Sequence, residues 1–357
     1  MPDSTPPAAS ASSLDTLEFG LDTFGDIPVG LDGRKASDAE AVRHVIEQGE
    51  LAERVGVDVF GIGEHHRDDF AVSAPEIVLA ALAARTERIR LATAVTVLSS
   101  DDPVRVYERF ATLDAISHGR AEIIAGRGSF TESFPLFGYE LRDYEKLFEE
   151  KLDLLVALLG EGPVTWSGTV RPSLTDQQVY PKTESGRITT WVGVGGSPES
   201  VVRAARHRLP LVLAIIGGQP IRFKPYVDLF HRALAQLGQP SLPVAVHVPG
   251  FIADDDETAA DLYWEHYRVM IARIGSERGW APPTRDSFQF DVAEGANHLG
   301  SPDTVAAKIA QTVRQLGIQR FGLKYSAGTL PHDALMHSIE LYGTEVIPRV
   351  RRLLTVD

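Results

Sequence analysis

The sequence predicts an α/β protein, specifically a (β/α)8 TIM barrel, on three observations. Eight short apolar segments have the composition of strands, and they alternate with amphipathic segments of helical periodicity. This alternation is typical of a parallel sheet covered by helices, and eight such units within 357 residues favour a closed barrel over an open sheet. Glycines and charged side chains also follow several of the predicted strands, which is where barrel active sites lie.

The elements follow in chain order. The predicted strands cover residues 17–24, 57–63, 89–98, 121–125, 189–193, 211–216, 244–252 and 321–325. The predicted helices cover residues 38–55, 75–86, 103–117, 143–160, 198–207, 220–237, 255–274 and 331–353, with an additional helix at 302–316 before the last strand. Several helix starts carry a proline, because a missing amide hydrogen costs little there. These prolines are Pro75, Pro103, Pro198 and Pro302.

Two segments are longer than an ordinary connection. Residues 161–187 are predicted to contain a small hairpin, and residues 275–300 are predicted to form an insertion before the last helix–strand unit. Residues 1–16 are rich in Ser, Ala, Pro and Thr and are predicted to form a disordered tail. No linker divides the remainder, so residues 17–357 are predicted to form a single domain.

Composition argues against several functional classes. The formal charge of −14 argues against a nucleic-acid partner, since phosphate binding needs a basic surface. No apolar run reaches the roughly 20 residues that span a bilayer, so no membrane association is expected. The absence of cysteine removes disulfides, thiolate nucleophiles and iron–sulfur clusters, and it is compatible with a cytoplasmic location.

The second predicted strand ends in Gly63-Glu64-His65-His66. A histidine at the mouth of a barrel is suited to proton transfer near neutral pH. Successive residues at a strand end point to opposite faces, so at most one of the two imidazoles can face a shared cavity. Each histidine taken alone is as compatible with a structural role as with a catalytic one.

The fifth predicted strand leads into a glycine–serine loop (residues 195–200) and then a helix. Gly195 and Gly196 allow close approach of a bound group, while Ser197, Ser200 and the free amides of the helix start can donate to a phosphate. Arg127, which lies between two glycines at the preceding strand end, can add a charge-assisted bond. Ordinary turn, capping and salt-bridge chemistry uses the same residue types, and both interpretations remain open on these residues alone.

Together these motifs resemble the luciferase-like flavin-dependent monooxygenase family. The resemblance is carried by 63–66, the segment 90–119 with Asp102-Pro103-Val104-Arg105, Ala125-Gly126-Arg127-Gly128 and residues 195–200, and it extends from about residue 17 to 352. It implies that His65 assists proton transfer beside the flavin ring and that His66 is its matching neighbour. It also implies a cofactor-binding set, with a cis peptide at Ala94–Val95 beneath the flavin and a phosphate held by Arg127 and the glycine–serine loop. That set is Ala94, Val95, Thr96, Arg127, Gly195, Gly196, Ser197, Ser200, Ile216 and Gly217.

The sequence departs from bacterial luciferase at two of these positions. Gly126 stands where luciferase has a reactive cysteine, so behaviour that depends on that thiol is not expected. Luciferase also has an acidic residue near the position of Gly196, so phosphate coordination must differ in detail. Nothing in the sequence points to light emission.

The resemblance implies an FMN-dependent monooxygenase that uses reduced FMN and oxygen on a small organic substrate. The source of reduced flavin is either this site or a separate flavin reductase, and a homodimer is expected. One alternative is a hydride-transfer oxidoreductase that uses the deazaflavin F420. It is disfavoured because no Lys/Arg cluster surrounds the glycine–serine loop, and Arg203, Arg206 and Arg208 come further along the helix.

Two other classes remain as alternatives. The first is a flavin-binding protein without turnover, against which His65 argues. The second is a metal-dependent hydrolase built on Glu64, His65 and His66. Adjacent histidines on a strand do not readily chelate one metal ion, so no metal site is predicted.

Overall fold

The computed structural model describes residues 17–355, and the predicted tail at 1–16 lies outside this range. Eight parallel strands form the central sheet, each paired with the next, and the last pairs with the first, so the barrel is closed. Gly20 on the first strand lies opposite Gly322 on the last. The strands are β1 (Glu18–Thr23), β2 (Val59–Ile62), β3 (Arg90–Thr93), β4 (Ala121–Gly126), β5 (Thr189–Val194), β6 (Leu211–Ala214), β7 (Val244–Ile252) and β8 (Arg320–Lys324). The predicted (β/α)8 TIM barrel is therefore confirmed.

Helices surround this barrel and bury its outer face. The main helices are Asp38–Arg54, Pro75–Ala83, Pro103–Ser117, Tyr144–Leu158, Pro198–Arg206, Lys224–Gln236, Asp256–Arg278, Arg285–Ala293, Pro302–Leu316, His332–Leu341 and Ile347–Thr355. No helix within residues 17–355 is long and apolar enough to cross a membrane.

Helix starts follow the predicted local chemistry. Ser197 and Ser301 each precede a helix that begins with proline, and their hydroxyls accept from the amides of Ser200 (3.2 Å) and Thr304 (3.4 Å). Such bonds satisfy donors that the helix itself leaves unpaired. The helix Pro302–Leu316 ends at Gly317, whose φ of 67° lies in the left-handed region that favours glycine.

Three segments differ from the predicted elements. The third predicted strand is interrupted: β3 stops at Thr93, and the chain pairs with β4 again only at Thr96–Val97. The insertion contains the helix Arg285–Ala293 and a short strand, His298–Gly300, which extends the sheet beside β7. The last predicted helix is divided by a π-helical turn at Tyr342–Val346.

The predicted hairpin is confirmed by the antiparallel strands Val164–Trp166 and Leu174–Gln177.

A buried ionic cluster fills the barrel at the amino-terminal ends of its strands. Arg320 donates to both oxygens of Glu122, at 2.6 and 3.1 Å, and its Nε donates to Glu18 at 2.8 Å. Arg90 pairs with the same two carboxylates, and the indole of Trp191 donates to Glu122 at 3.2 Å. The side chains of Arg320 and Glu122 are almost fully enclosed. These groups therefore fill the amino-terminal end of the barrel interior.

Candidate active site

His65 lies just after β2 in an enclosure of three aromatic rings. Its imidazole centroid is 4.4 Å from that of Phe24, 4.5 Å from that of Phe70 and 5.0 Å from that of Phe130. Burial lowers the pKa of His65 to about 3, so the imidazole is neutral at physiological pH. Its Nδ1 is buried and has no hydrogen-bond partner among residues 17–355. The ring therefore carries a buried nitrogen whose hydrogen-bonding capacity no described residue satisfies.

His66 has a different environment from its neighbour. Its Nε2 lies 3.0 Å from one oxygen of Glu64, and the other oxygen accepts from the amide of Val97 at 2.9 Å. The His66 ring also meets Phe137 edge-on, with the centroids 5.1 Å apart. Glu64 therefore connects the end of β2 to the segment that follows β3, and the two histidines make separate contacts, as the strand geometry predicts.

The interruption after β3 coincides with the predicted flavin-contacting strand end. The Ala94–Val95 peptide bond is cis, as the family resemblance implies. A Cβ atom at Gly126 would lie 2.4 Å from a methyl carbon of Val95, and one at Gly193 would lie 3.1 Å from the other methyl carbon. Glycines at the ends of β4 and β5 therefore leave the space that Val95 fills. Thr96 is buried, and its hydroxyl lies 2.9 Å from that of Thr93.

An ionic group joins the ends of β4 and β5. Arg127 forms an ion pair with Glu145 and lies over the ring of Tyr144, 5.3 Å from its centroid. The other Glu145 oxygen accepts from Arg203 at 3.1 Å, and Arg203 is also 3.4 Å from the Ser200 hydroxyl. Arg127 and the glycine–serine loop are thus brought together through Glu145.

The glycine–serine loop presents small side chains and free space. The hydroxyls of Ser197 and Ser200 lie 2.9 Å apart at the start of the helix. No heavy atom beyond its chain neighbours lies within 4 Å of where a Gly195 Cβ would be, and Gly196 has a φ of 111°, which favours glycine. The loop can therefore be approached closely by a ligand.

Ile216 and Gly217 lie beyond the end of β6. Ile216 is 73% exposed, and no heavy atom beyond its chain neighbours lies within 4 Å of a Cβ placed on Gly217. The structure leaves both at the open rim, and no hydrogen bond or ring contact within residues 17–355 links them to His65 or Arg127.

Sequence reasoning missed several residues of this site. Arg203 carries a recognisable signal, because it lies one helical turn after Ser200 and so on the same face. No sequence signal marks Glu145, since it lies at the start of a helix and is distant in sequence from both arginines. Lys324, at the end of β8, donates to Asp26 at 2.9 Å and lies 4.5 Å from the centroid of Phe24, next to the enclosure of His65.

The side chains of Glu64, His65 and His66 do not converge as a set of metal ligands, so their geometry does not support the metal-hydrolase alternative. Glu64 is engaged by His66 and a backbone amide, while His65 faces aromatic rings. Within the described part of the chain, the only trio of metal-capable side chains lies elsewhere, on outer helices: His44, Glu47 and His332. Its two imidazoles stack 3.8 Å apart at 8°, so their lone pairs lie in nearly parallel planes and do not converge on one point.

Two proteins named as monooxygenases are similar to this chain in sequence. The N-acetyl-S-alkylcysteine monooxygenase of Bacillus subtilis is 31% identical over 195 residues, which are 52% of this chain and 55% of that protein. The alkanal monooxygenase alpha chain of Photobacterium leiognathi is 24% identical over 345 residues, covering 88% of this chain and 95% of that protein.

Two solved structures share the fold. One is the oxygenating constituent of the 3,6-diketocamphane monooxygenase of Pseudomonas putida in complex with FMN, with a TM-score of 0.74, 21% identity and coverage of 94% of this chain and 98% of that one. The other is an F420-dependent secondary alcohol dehydrogenase with an F420–acetone adduct, with a TM-score of 0.73, 17% identity and coverage of 94% and 99%.

The model of the luciferase-like monooxygenase family matches residues 18–320, which include the first seven barrel strands, the start of β8 and nearly all of the site described above. Since this match spans most of the chain, the protein belongs to the luciferase-like monooxygenase family.

Proposed function

We propose that this protein is a monooxygenase that uses reduced FMN and oxygen to oxygenate a small organic substrate. The observation that carries the proposal is the placement of two different groups at one end of the barrel. A neutral, enclosed imidazole lies at the end of β2, and an arginine–serine cluster lies at the ends of β4 and β5. The imidazole has an unpaired nitrogen that a bound group could engage, and the arginine–serine cluster suits a phosphate.

The residues present fit FMN. Arg127 and Arg203 provide guanidinium donors, and Ser197 and Ser200 provide hydroxyls at a helix start, a donor set that matches a dianionic phosphate. Val95 would offer an apolar surface to the ring, and a Cβ on Gly195 or Gly217 would meet no heavy atom beyond its chain neighbours within 4 Å. The donors and the apolar surface thus occur together at the barrel mouth.

In the proposed reaction, bound reduced FMN supplies the electrons that activate oxygen. His65 Nδ1 would hold or transfer a proton at the reacting end of the site, because it has no hydrogen-bond partner among the described residues. Phe24, Phe70 and Phe130 would keep water away from that nitrogen. Arg127 and Arg203 would orient the cofactor through its phosphate.

The similar proteins support the proposal of an FMN-dependent monooxygenase and leave one alternative function open. Relatives named as monooxygenases and the FMN complex of a protein with the same fold favour FMN and oxygen. The F420-dependent dehydrogenase of the same fold keeps F420-dependent hydride transfer as the second candidate. Glu145, Glu149 and Glu199 near the phosphate-binding residues argue against it, because F420 carries a long acidic tail.

The test is anaerobic titration of the purified protein with reduced FMN and, separately, with reduced F420, each followed by rapid mixing with oxygen. We expect saturable binding of FMN and protein-dependent oxygen consumption. Preferential binding of F420 without oxygen consumption would replace the proposal with hydride transfer. Binding of FMN with no turnover on any substrate would favour a flavin carrier.

We further propose that the protein acts in the cytoplasm as a homodimer and receives reduced FMN from a separate flavin reductase. The open rim around Ile216 and Gly217 supports exchange of flavin with solvent. Sedimentation analysis would test the dimer, and activity with and without added reductase would test the supply route.

A further inference from the structure

Glu145 holds an unusual position among the phosphate-binding residues. Its two carboxylate oxygens are divided between two arginines that come from different parts of the chain, Arg127 after β4 and Arg203 on the helix after β5. Arg203 reaches the hydroxyl of Ser200 with the same guanidinium. A negatively charged group thus lies between the residues that would bind the flavin phosphate.

We propose that the Glu145 carboxylate takes the place of the flavin phosphate between Arg127 and Arg203, and that FMN binds by displacing it. This inference rests on the proposed flavin function. Carboxylates and phosphates accept the same paired hydrogen bonds from guanidinium groups, so one can substitute for the other. Without a counter-ion, two nearby guanidinium groups repel each other, and Glu145 supplies that counter-ion in the free protein.

The surroundings allow the carboxylate to leave. The side chain of Glu145 is 61% exposed, whereas that of Arg203 is only 8% exposed. A departing carboxylate is therefore readily hydrated, while the arginine stays in place. Glu149 holds Arg203 independently, with its Oε2 accepting from Nε at 2.9 Å, so the guanidinium keeps its position after Glu145 has moved.

Displacement has a functional consequence. A phosphate that enters between the arginines must compete with a carboxylate and, when bound, would be repelled by it. Glu145 therefore weakens FMN binding selectively through the phosphate. Weak, phosphate-dependent binding suits a flavin that enters and leaves in every turnover, in contrast to a permanently bound group.

The experiment measures binding of FMN and of riboflavin, which lacks the phosphate, to the full-length protein, to Glu145→Gln and to Glu149→Gln. Glu149→Gln is the matched control. It removes a carboxylate that lies on the same helix as Glu145 and pairs with Arg203 but not with Arg127. Unfolding midpoints of all three proteins confirm that the variants are folded.

We expect Glu145→Gln to bind FMN about three- to ten-fold more tightly and to leave riboflavin affinity unchanged. Inorganic phosphate should compete with FMN more strongly in this variant than in the unchanged protein. Glu149→Gln should not tighten FMN binding, since Glu145 still occupies the position between the arginines.

Unchanged or weaker FMN binding by Glu145→Gln would overturn the inference, because it would show that Glu145 only orients the arginines. Equal tightening by both variants would also overturn it, as a general charge effect. If the unchanged protein bound neither FMN nor riboflavin, the proposed flavin function itself would fail, which is a distinguishable result.

Discussion

At the scale of single residues, His65 and His66 show how adjacent side chains acquire different chemistry. His65 is enclosed by Phe24, Phe70 and Phe130, and desolvation keeps its imidazole neutral. His66 lies 3.0 Å from the Glu64 carboxylate. The unpaired Nδ1 of His65 is therefore the better candidate for proton transfer to or from a bound group.

Replacing His65 with alanine should lower turnover about 100-fold or more, the range typical of a lost proton-transfer group. FMN affinity should stay within about a few fold, because the proposed phosphate-binding residues follow other strands. Steady-state rates and a flavin titration on the same preparation would measure both. His65→Gln, which retains a polar side chain, separates proton transfer from simple loss of packing, and an unchanged turnover in His65→Ala would reject the catalytic role.

At the scale of elements, the end of β3 depends on its neighbours β4 and β5. The chain leaves the sheet after Thr93, and the Val95 side chain then occupies space that opens because Gly126 and Gly193 have no Cβ. An apolar strand pattern predicts one continuous strand here, because periodicity does not record a neighbouring glycine. The position of Val95 therefore depends on contacts with neighbouring strands and not on the sequence of its own segment.

Gly126→Ala should destabilise the protein by about 1–3 kcal/mol, the usual cost of overpacking, because the new methyl group would lie 2.4 Å from a Val95 methyl carbon. Chemical unfolding would measure the change. Gly195→Ala is the matched control and should change stability by less than about 0.5 kcal/mol, since its methyl group would meet open space. Adding Val95→Ala to Gly126→Ala should recover part of the loss, and no recovery would refute the steric explanation.

At the scale of the whole molecule, the ionic cluster in the barrel floor joins strands that are far apart in sequence. Arg320 on β8 contacts Glu18 on β1 and Glu122 on β4, so the bonds cross the barrel interior. Charges enclosed in this way need all of their partners, because an unpaired buried charge is costly. The cluster therefore holds together the amino-terminal ends of strands that are far apart in sequence, and so it stabilises the closed barrel.

Glu122→Gln should lower the free energy of unfolding by about 3–5 kcal/mol, because it leaves the enclosed Arg320 with only Glu18 as an anionic partner. The control is Glu108→Gln, which breaks the exposed pair with Arg105 and should cost less than about 1 kcal/mol. Equal losses in the two variants, measured by urea unfolding, would contradict the proposed importance of the buried cluster.

Acid should destabilise the protein in a pH range where most carboxylates are still ionised. Burial lowers the pKa of His65 to about 3 and that of His298 to about 4, and it also lowers the pKa values of His44, His207, His231 and His266. As the pH falls below about 6.5, the unfolded chain binds protons that the folded protein does not, so stability decreases with falling pH.

Each histidine whose folded-state pKa lies far below its ordinary value contributes to this loss. Its contribution lowers the free energy of unfolding by about 1.4 kcal/mol per pH unit between about pH 6 and the folded-state pKa. Urea unfolding at several pH values from 7 to 5 would measure the slope. His298→Gln should reduce that slope by the contribution of one proton, although it lowers stability at pH 7 by disturbing the 3.0 Å bond to Thr312. A stability that does not change over this range would disprove the prediction.

Local sequence signals determine the positions of the eight barrel strands except for the interruption of the third, as well as most helix ends and the fold class. Ser197, Pro198 and Gly317 act within one helical turn of their own positions, so their effects can be predicted without knowing the fold. The positions of the motifs at 63–66, 125–128 and 195–200 at strand ends follow from the sequence for the same reason.

Only the tertiary structure decided which side chains meet. Arg127, Glu145 and Arg203 belong to three segments, and the carboxylate that joins the two arginines has no local signal in the sequence. The aromatic enclosure of His65 likewise combines residues from the ends of β1, β2 and β4. Such contacts depend on how the barrel closes, because the distance between distant residues is set by strand pairing and helix packing and is not encoded in any single segment.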